Sequence, residues 1–277
     1  MSKLRIYNKY RVSGRGKLDL AKINPDDTTL YKDKKQAQKS MSENLEKLSR
    51  LQYLLFAESK RAMLIILQGM DSAGKDGTVR HVMGPLNPAS CRVTSFKTPN
   101  EQELAHDYLW RIHKHVPRKG EIGIFNRSHY EDVLIVRVQK LVPKDVWEKR
   151  YKQINDFERM LSENGVHILK FFLHISKDEQ LERLKARLDK PHKQWKADPA
   201  DFEQRKFWDS YQKAYTDVIR KCSTSYAPWF VIPADKKWFR NMVVSEILVE
   251  YMTKLHMKFP KSKYDLSEIK KNVSLLK

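Results

Sequence analysis

The sequence predicts a three-layer α/β fold with a parallel sheet, and three observations carry that expectation. Five short apolar runs alternate with amphipathic stretches along the 277 residues, the order that places helices on both faces of a parallel sheet. The first run, Met63 to Leu67, stops at a glycine-rich turn reading GMDSAGKDGT from Gly69 to Thr78. The third run, Glu121 to Phe125, ends in the polar cluster Asn126 to Asp132. The carboxyl end of a buried strand in an open α/β sheet is where ligands bind.

The elements follow in order. Residues 1–32 show no clear period and carry Arg5, Lys9, Arg11, Arg15 and Lys17 beside Gly14 and Gly16, so they read as a basic, extended arm. Residues 33–60 place Met41, Leu45, Leu48, Leu51 and Leu55 at three- and four-residue spacing, which predicts one long amphipathic helix. A helix is expected from Lys75 to about Met83, stopped by Gly84-Pro85, and then a second strand from Cys91 to Phe96. Thr98 with Glu101 three residues on reads as a capping box, with Pro99 at the first helical position of a helix to about His115. His113 and His115 cannot share one helix face, which disfavours a metal site there. Pro143 starts a helix that ends at Gly165, and a fourth strand spans Val166 to Ile175. Ser176 and Glu179 form a second capping box for a helix bearing Arg183 and Arg187 on one face. The loop 189–201 leads to a helix from Pro199 to Cys222, a fifth strand at Trp229 to Ile232, and a last long helix from Lys237 to His256. The basic tail from Lys258 reads as peripheral. One domain over 1–277 is expected, with a lid at about 178–205.

Composition narrows the function classes. Hydrophobic residues make up 40%, enough for a sizeable core, and 54 Lys and Arg against 34 Asp and Glu give a net charge of +20. That balance suits a polyanionic partner. Cys91 and Cys222 make no spacing motif, so neither a disulfide scaffold nor a zinc site is indicated. With no signal-like start and no run of about 18 apolar residues, a cytoplasmic, membrane-free protein is expected.

The chemistry centres on the first turn. Gly69-x-x-x-x-Gly74-Lys75 fits the phosphate-loop pattern except at its last position, where Asp76 replaces the hydroxyl residue. Such a turn aims backbone N–H groups of Gly69, Ser72, Ala73, Gly74, Asp76, Gly77 and Thr78 into an anion nest, with Lys75 as the mobile cation. A carboxylate in an anion nest is unfavourable unless a cation joins it, so Asp71 is the first candidate metal ligand. Arg127 at the second strand end and Arg183 and Arg187 on the lid supply cations for a transferring phosphoryl group. The pattern therefore points to phosphoryl transfer.

Four stretches together are identified with a known family. QGMDSAGKDGT, FNRSHYEDVLIVRV, RLKARLDKPHKQWKADPADFEQRKFWDSYQKAY and APWFVIPADKKWFRN resemble the family-2 polyphosphate kinases, closest to the class III branch with its RSHYED form. The resemblance covers about Tyr10 to Phe259. It implies a thymidylate-kinase-like P-loop kinase fold with a helical lid and a likeness to homo-oligomers, dimers or tetramers. It implies Mg²⁺-dependent (or Mn²⁺-dependent) transfer of the terminal phosphoryl group of inorganic polyphosphate to AMP and ADP. By the same likeness Asp71 and Lys75 take the metal and phosphate roles, Arg127 the arginine beside the second motif, and Arg183 and Arg187 the lid arginines. Glu131 stands where class I relatives usually carry Asn, a position associated with nucleotide choice, and nucleotide contact is assigned to Arg127, Glu131 and Asp132. Many members carry Asp where this chain has Asn126. The second metal-binding acid then falls to Glu131 or Asp132, or water takes the place. A basic channel for polyphosphate is expected, with Lys17, Lys97, Arg118, Lys193 and Lys196 as candidates. The competing readings are an ATP-dependent nucleoside monophosphate kinase and a non-catalytic nucleic-acid-binding protein. The second of these lacks any matching motif.

Overall fold

A computed structural model describes residues 4–14, 16–31 and 33–274. Five strands form one parallel sheet in the order β2-β3-β1-β4-β5. They are β1 (Ala62–Gln68), β2 (Cys91–Ser95), β3 (Ile122–Asn126), β4 (Val166–His174) and β5 (Trp229–Pro233). β1 lies at the centre, its seven residues all buried, because parallel strands covered on both faces must be apolar throughout. Its register sets Leu67 beside Asn126 and Phe171. The phosphate loop and the second polar segment therefore leave the sheet at the same edge.

Alternation along β4 separates the two helical layers. Lys170 reaches Glu158 of α7 (Lys144–Glu163), and Phe172 packs on Tyr215 of α11 (Trp208–Cys222). Phe171, pointing the other way, stacks on Phe230, which meets Tyr7 of α1 (Arg5–Tyr10). Tyr7 in turn stacks on Tyr251 of α12 (Lys237–Lys254), and α12 packs along α2 (Lys34–Glu58). The long helix expected at 33–60 is α2, capped by Asp33, whose carboxylate accepts from Gln36 N, and closed by Ser59 in the left-handed region.

Five expectations are corrected, the simplest being the loop at 189–201, which contains the short helix Pro191–Gln194. The N-terminal arm is not simply extended: α1 buries Ile6, Tyr7 and Tyr10. Arg11 then bridges antiparallel to Phe230, and Val12 N donates to Trp229 O at 2.9 Å. The arm covers the outer edge of β5, which would otherwise present unpaired backbone groups. Arg15 of that arm lies outside the described residues. The capping box after β2 is Asn100 with Glu103, not Thr98 with Glu101. The helix expected there splits into α4 (Glu101–Leu104) and α5 (Trp110–His113), because Asp107 accepts from Leu109 N and Trp110 N and turns the chain. The helix expected from Pro199 to Cys222 is likewise two, α10 (Pro199–Lys206) and α11, broken at Phe207. The remaining elements are α3 (Lys75–Thr78, running into a π turn at Val79–Met83), α6 (Ile135–Val138), α8 (Lys177–Asp189), α9 (Pro191–Gln194) and the exposed α13 (Leu266–Ser274).

Candidate active site

The turn after β1 is shaped by what its carbonyl oxygens touch. Lys75 Nζ donates to Gly69 O at 2.7 Å and Met70 O at 3.3 Å. Gln180 of α8 donates to Asp71 O at 3.0 Å, and Arg183 donates to Ser72 O and Ala73 O at 2.9 and 3.1 Å. Arg240 of α12 donates to Ala73 O at 3.0 Å. With the loop carbonyls tied back, most of its N–H groups are left for an anion, but Ala73 N and Thr78 N, both expected in the nest, instead donate within the loop, to Met70 O at 3.0 Å and Gly74 O at 2.9 Å. Gly74 is required here: its φ is +103°, and a Cβ would sit 1.8 Å from Arg240 Nη1. Thr78, buried, donates its hydroxyl to Gly74 O at 3.2 Å and so braces the first turn of the helix.

Arg240 is a site-building residue that sequence reading passed over. It is 2% exposed, and its Nε and Nη2 donate to Asn241 Oδ1 at 3.1 and 2.8 Å. Burial, helped by the Arg183 cation, pushes its pKa down to about 9. Its signals in the sequence are its place in the stretch APWFVIPADKKWFRN and a cation interrupting the apolar stripe Phe239, Met242, Val243.

The second segment leaves β3 beside the loop. Arg127 adopts φ +62°, rare for a residue with a side chain, and its N–H donates to Leu67 O at 3.1 Å. Its Nη2 donates to Asp71 Oδ1 at 2.7 Å, which joins the two sequence-predicted motifs directly. Burial opposes the Arg127 charge, but the Glu131 and Asp71 carboxylates outweigh it and raise the pKa. The same carboxylates act on the phenols of Tyr211 and Tyr215, so α11 closes this side of the site. Lys75 has its pKa pushed down, first by burial and then by Arg127, against the pull of Asp71, Glu131 and Asp76. Asp76 is exposed and accepts from Asn126 Nδ2 at 2.7 Å. Here Asn126 serves as a donor to the loop's extra acid.

Asp132 points elsewhere. Arg150 of α7 donates to Asp132 O at 2.9 Å and Oδ1 at 3.3 Å. Burial raises this carboxyl to about 6, with the Arg150 and Arg111 cations opposing.

The two arginines of α8 do share a face, and both reach Ser72. Arg183 is pinned: Nε to Glu179, Nη1 to the loop carbonyls, and Nη2 to Ala234 O and Asp235 O at 2.7 and 2.8 Å. Arg187 instead donates from Nη2 to Ser72 Oγ at 2.7 Å and from Nη1 to the Asp201 carboxylate and Lys196 O. Lys196 Nζ lies 3.9 Å from Asp76. Arg118, proposed for a channel, sits at the opposite edge of the sheet, before β3, paired with Glu121 at 2.7 Å. The thiols of Cys91 and Cys222 are raised by burial to about 11 and about 12, consistent with packing roles.

A parallel sheet with a phosphate loop at its central strand, flanked by cations from the neighbouring strand end and a helical arm, defines a P-loop kinase-like fold. The chain belongs to the polyphosphate kinase 2 (PPK2) family, whose model matches residues 31–260. It is 56% identical over 253 residues to the AMP/ADP-polyphosphate phosphotransferase of Meiothermus ruber, covering 91% of this chain and 95% of that protein. It is 43% identical over 266 residues to the ADP-polyphosphate phosphotransferase of Rhodopseudomonas palustris, covering 92% of each. The crystal structure of polyphosphate kinase 2 from Arthrobacter aurescens TC1 superposes with a TM-score of 0.93 at 41% identity, covering 98% of this chain and 96% of that one.

Proposed function

We propose that this protein transfers the terminal phosphoryl group of inorganic polyphosphate to AMP and to ADP, giving ADP and ATP. A phosphate oxygen of the acceptor nucleotide attacks the terminal phosphorus, the bridging P–O bond breaks, and polyphosphate leaves one unit shorter. The observation that carries this reading is the union of the two motifs by the Arg127–Asp71 contact of 2.7 Å above the N–H nest, in a chain so similar to an AMP/ADP-polyphosphate phosphotransferase.

Each residue has a task within it. The loop N–H groups of Ser72, Gly74, Asp76 and Gly77 and the Lys75 ammonium hold the transferring phosphoryl group. Lys75 leaves its two carbonyl partners to do so. Arg127 and Arg187 neutralise charge that grows on the bridging and equatorial oxygens, a contribution that is large in a water-poor site. Glu131, beside Arg127, is placed to influence the acceptor, with Asp132 bracing that segment against α7. Closure of the 178–205 lid carries Arg187 and Lys196 over the phosphates and excludes water.

Mg²⁺, or Mn²⁺ in its place, fits the donor set. Magnesium is held by one or two carboxylates together with substrate phosphates and waters, and Asp71 and Glu131 offer hard oxygens at the loop. Among the described residues no group of three or more candidate ligands forms a protein-only cage, in keeping with a metal that arrives with its phosphates. When bound, the ion neutralises phosphate charge. Asp71 would exchange its Arg127 partner for it.

The net charge of +20 suits a polyphosphate donor. Among the described residues no helix is long and apolar enough to cross a membrane. A cytoplasmic setting is part of the reading, supported by the phosphorylated-nucleotide substrates and two unpaired cysteines. A homo-oligomer is also part of it: Tyr53, Phe56 and Phe259 form an exposed aromatic group available to a second copy.

The test is direct. Purified protein is supplied with AMP, Mg²⁺ and polyphosphate, with ATP left out. ADP and then ATP are expected. If neither forms while ATP phosphorylates AMP, an ATP-dependent monophosphate kinase replaces this reading.

A further inference from the structure

Between Arg127 and Glu131, which face the site, lie His129 and Tyr130, both 0% exposed. Polar rings at that depth need partners. Both find the same one. Tyr130 Oη donates to Glu158 Oε1 of α7 at 2.9 Å, and His129 Nε2 lies 3.3 Å from that oxygen. The other oxygen, Glu158 Oε2, accepts a hydrogen bond from Lys170 Nζ of β4. Lys170 also donates to Tyr130 Oη and to Cys222 O, each at 2.8 Å. Lys170 and Glu158 are both 0% exposed.

Each donor of this cluster has an acceptor, while His129 Nδ1 is buried without a partner. The Lys170 ammonium has three N–H groups and three acceptors. The Glu158 carboxylate uses one oxygen for Lys170 and the other for the two rings. Burial, the largest influence, would raise the Glu158 carboxyl, but Lys170 and His129 together outweigh it and hold it below the usual range. Burial pushes His129 down, so the ring is neutral and donates through one nitrogen.

Such a cluster is an expensive way to hold a layer on a sheet. Apolar side chains of similar volume stabilise as well as a buried ion pair, or better. What they lack is direction. Hydrogen bonds to two successive rings fix the rotation of the 128–130 turn. Ser128 fixes its start, through Gln68 Nε2 donating to Ser128 Oγ at 3.2 Å. Arg127, with φ +62°, is held in a conformation that such residues adopt only when their surroundings demand it.

We propose that Lys170, Glu158 and Tyr130 are positioning residues: a buried triad that sets the 128–130 turn and, through it, aims the Arg127 guanidinium and the Glu131 carboxylate. The inference rests on the reading of Arg127 as part of the active site. A displacement of about 1 Å in such a group can lower turnover on the order of 10²-fold.

The experiment separates aim from stability. Lys170→Met alone leaves Glu158 buried without its cation and is expected to lower both the thermal midpoint and kcat. Lys170→Met with Glu158→Gln removes both charges and is expected to regain the midpoint. Its kcat should stay about 10-fold or more below wild type, with KM for polyphosphate within about twofold. Recovery of kcat along with the midpoint would overturn the proposal. If that pair does not fold, Tyr130→Phe decides, since it deletes one hydroxyl and no charge. A kcat at least about 5-fold lower at unchanged KM supports the triad, and wild-type kcat overturns it. Ile247→Val, a buried change on α12 in the other helical layer, gives the control: a lower midpoint with kcat retained. Arg127→Ala runs alongside, and wild-type turnover there would sink the site reading itself.

Discussion

Arg183 and Arg187 stand one turn apart on α8 and touch the same residue, Ser72, yet they belong to two different regions. Arg183 lies at the base of the phosphate loop. Its partners are loop carbonyls, the Ala234 and Asp235 carbonyls after β5, and Glu179. Its side chain is 9% exposed. Arg187 lies where the arm of α8, α9 and α10 folds over the loop mouth, and its chief partner is Asp201, a carboxylate on that same arm. One guanidinium mortars the loop to the sheet. The other meets the loop only through a hydroxyl and a counter-ion that a phosphate can replace. Side-chain chemistry is identical in the two, so the difference comes from what surrounds them: fixed backbone carbonyls in one region, an exchangeable acid in the other.

The largest effect that could break this comparison is at the loop itself. Lys75→Ala and Asp71→Ala should each lower kcat at least about 10²-fold in the polyphosphate assay, as loss of a charge-stabilising group does. Near-native turnover in either would place the chemistry elsewhere.

The arginines themselves come next. Arg183→Ala strips partners from buried carbonyls and should cost about 2–4 kcal/mol, read from the urea midpoint. Arg187→Ala should change stability by less than about 1 kcal/mol while kcat/KM for polyphosphate falls about 10-fold or more. Equal stability losses in the two variants would erase the distinction drawn here.

A third test uses pH. The Asp132 carboxyl is raised from 3.8 to about 6 by burial, so the native state binds its proton more tightly than the unfolded chain. Its protonated form stabilises the fold below about pH 4, and that contribution is lost as pH rises through about 6. Measured against Asp132→Asn, wild type should lose about 1–3 kcal/mol between pH 4 and pH 7. A constant difference would show that Arg150 keeps the carboxylate ionised throughout.

The smallest effect expected is at the tip of the arm. Trp195 is 78% exposed, and Trp195→Ala should leave stability within about 0.5 kcal/mol by thermal melting. A larger loss would mean that the arm tip is packed in solution and that the contrast with the loop base is overdrawn.

Much of the site was legible because it is local. The strand, the glycine spacing and Lys75 lie within one short stretch, and an N–H nest is a property of consecutive residues. The polar cluster after β3 could be read because a buried strand must stop before polar residues begin. The spacing of Arg183 and Arg187 follows from helical period alone. The cap after β2 was misplaced by two residues because Thr98 and Asn100 are both competent caps, each with an acid three positions on. The choice between them depends on Arg111, which pairs with Glu103 and not with Glu101. The N-terminal arm had no period to read, since α1 is six residues long and its order comes from packing on Phe230 and Tyr251.

By itself, then, the sequence determined the alternation of strand and helix, the anion nest, the sign of the charge that its partner must carry, and which side chains project together. Only the tertiary structure decided which arginines are mortar and which are available. It also revealed Arg240 beneath Gly74, and Lys170 with Glu158 beneath Tyr130. These partners lie 166, 40 and 28 positions apart. The physical reason is that hydrogen bonding and desolvation act between neighbours in space. Period and spacing report on an element's own faces, whereas the fate of a buried charge is set by elements that the chain reaches only after it has folded.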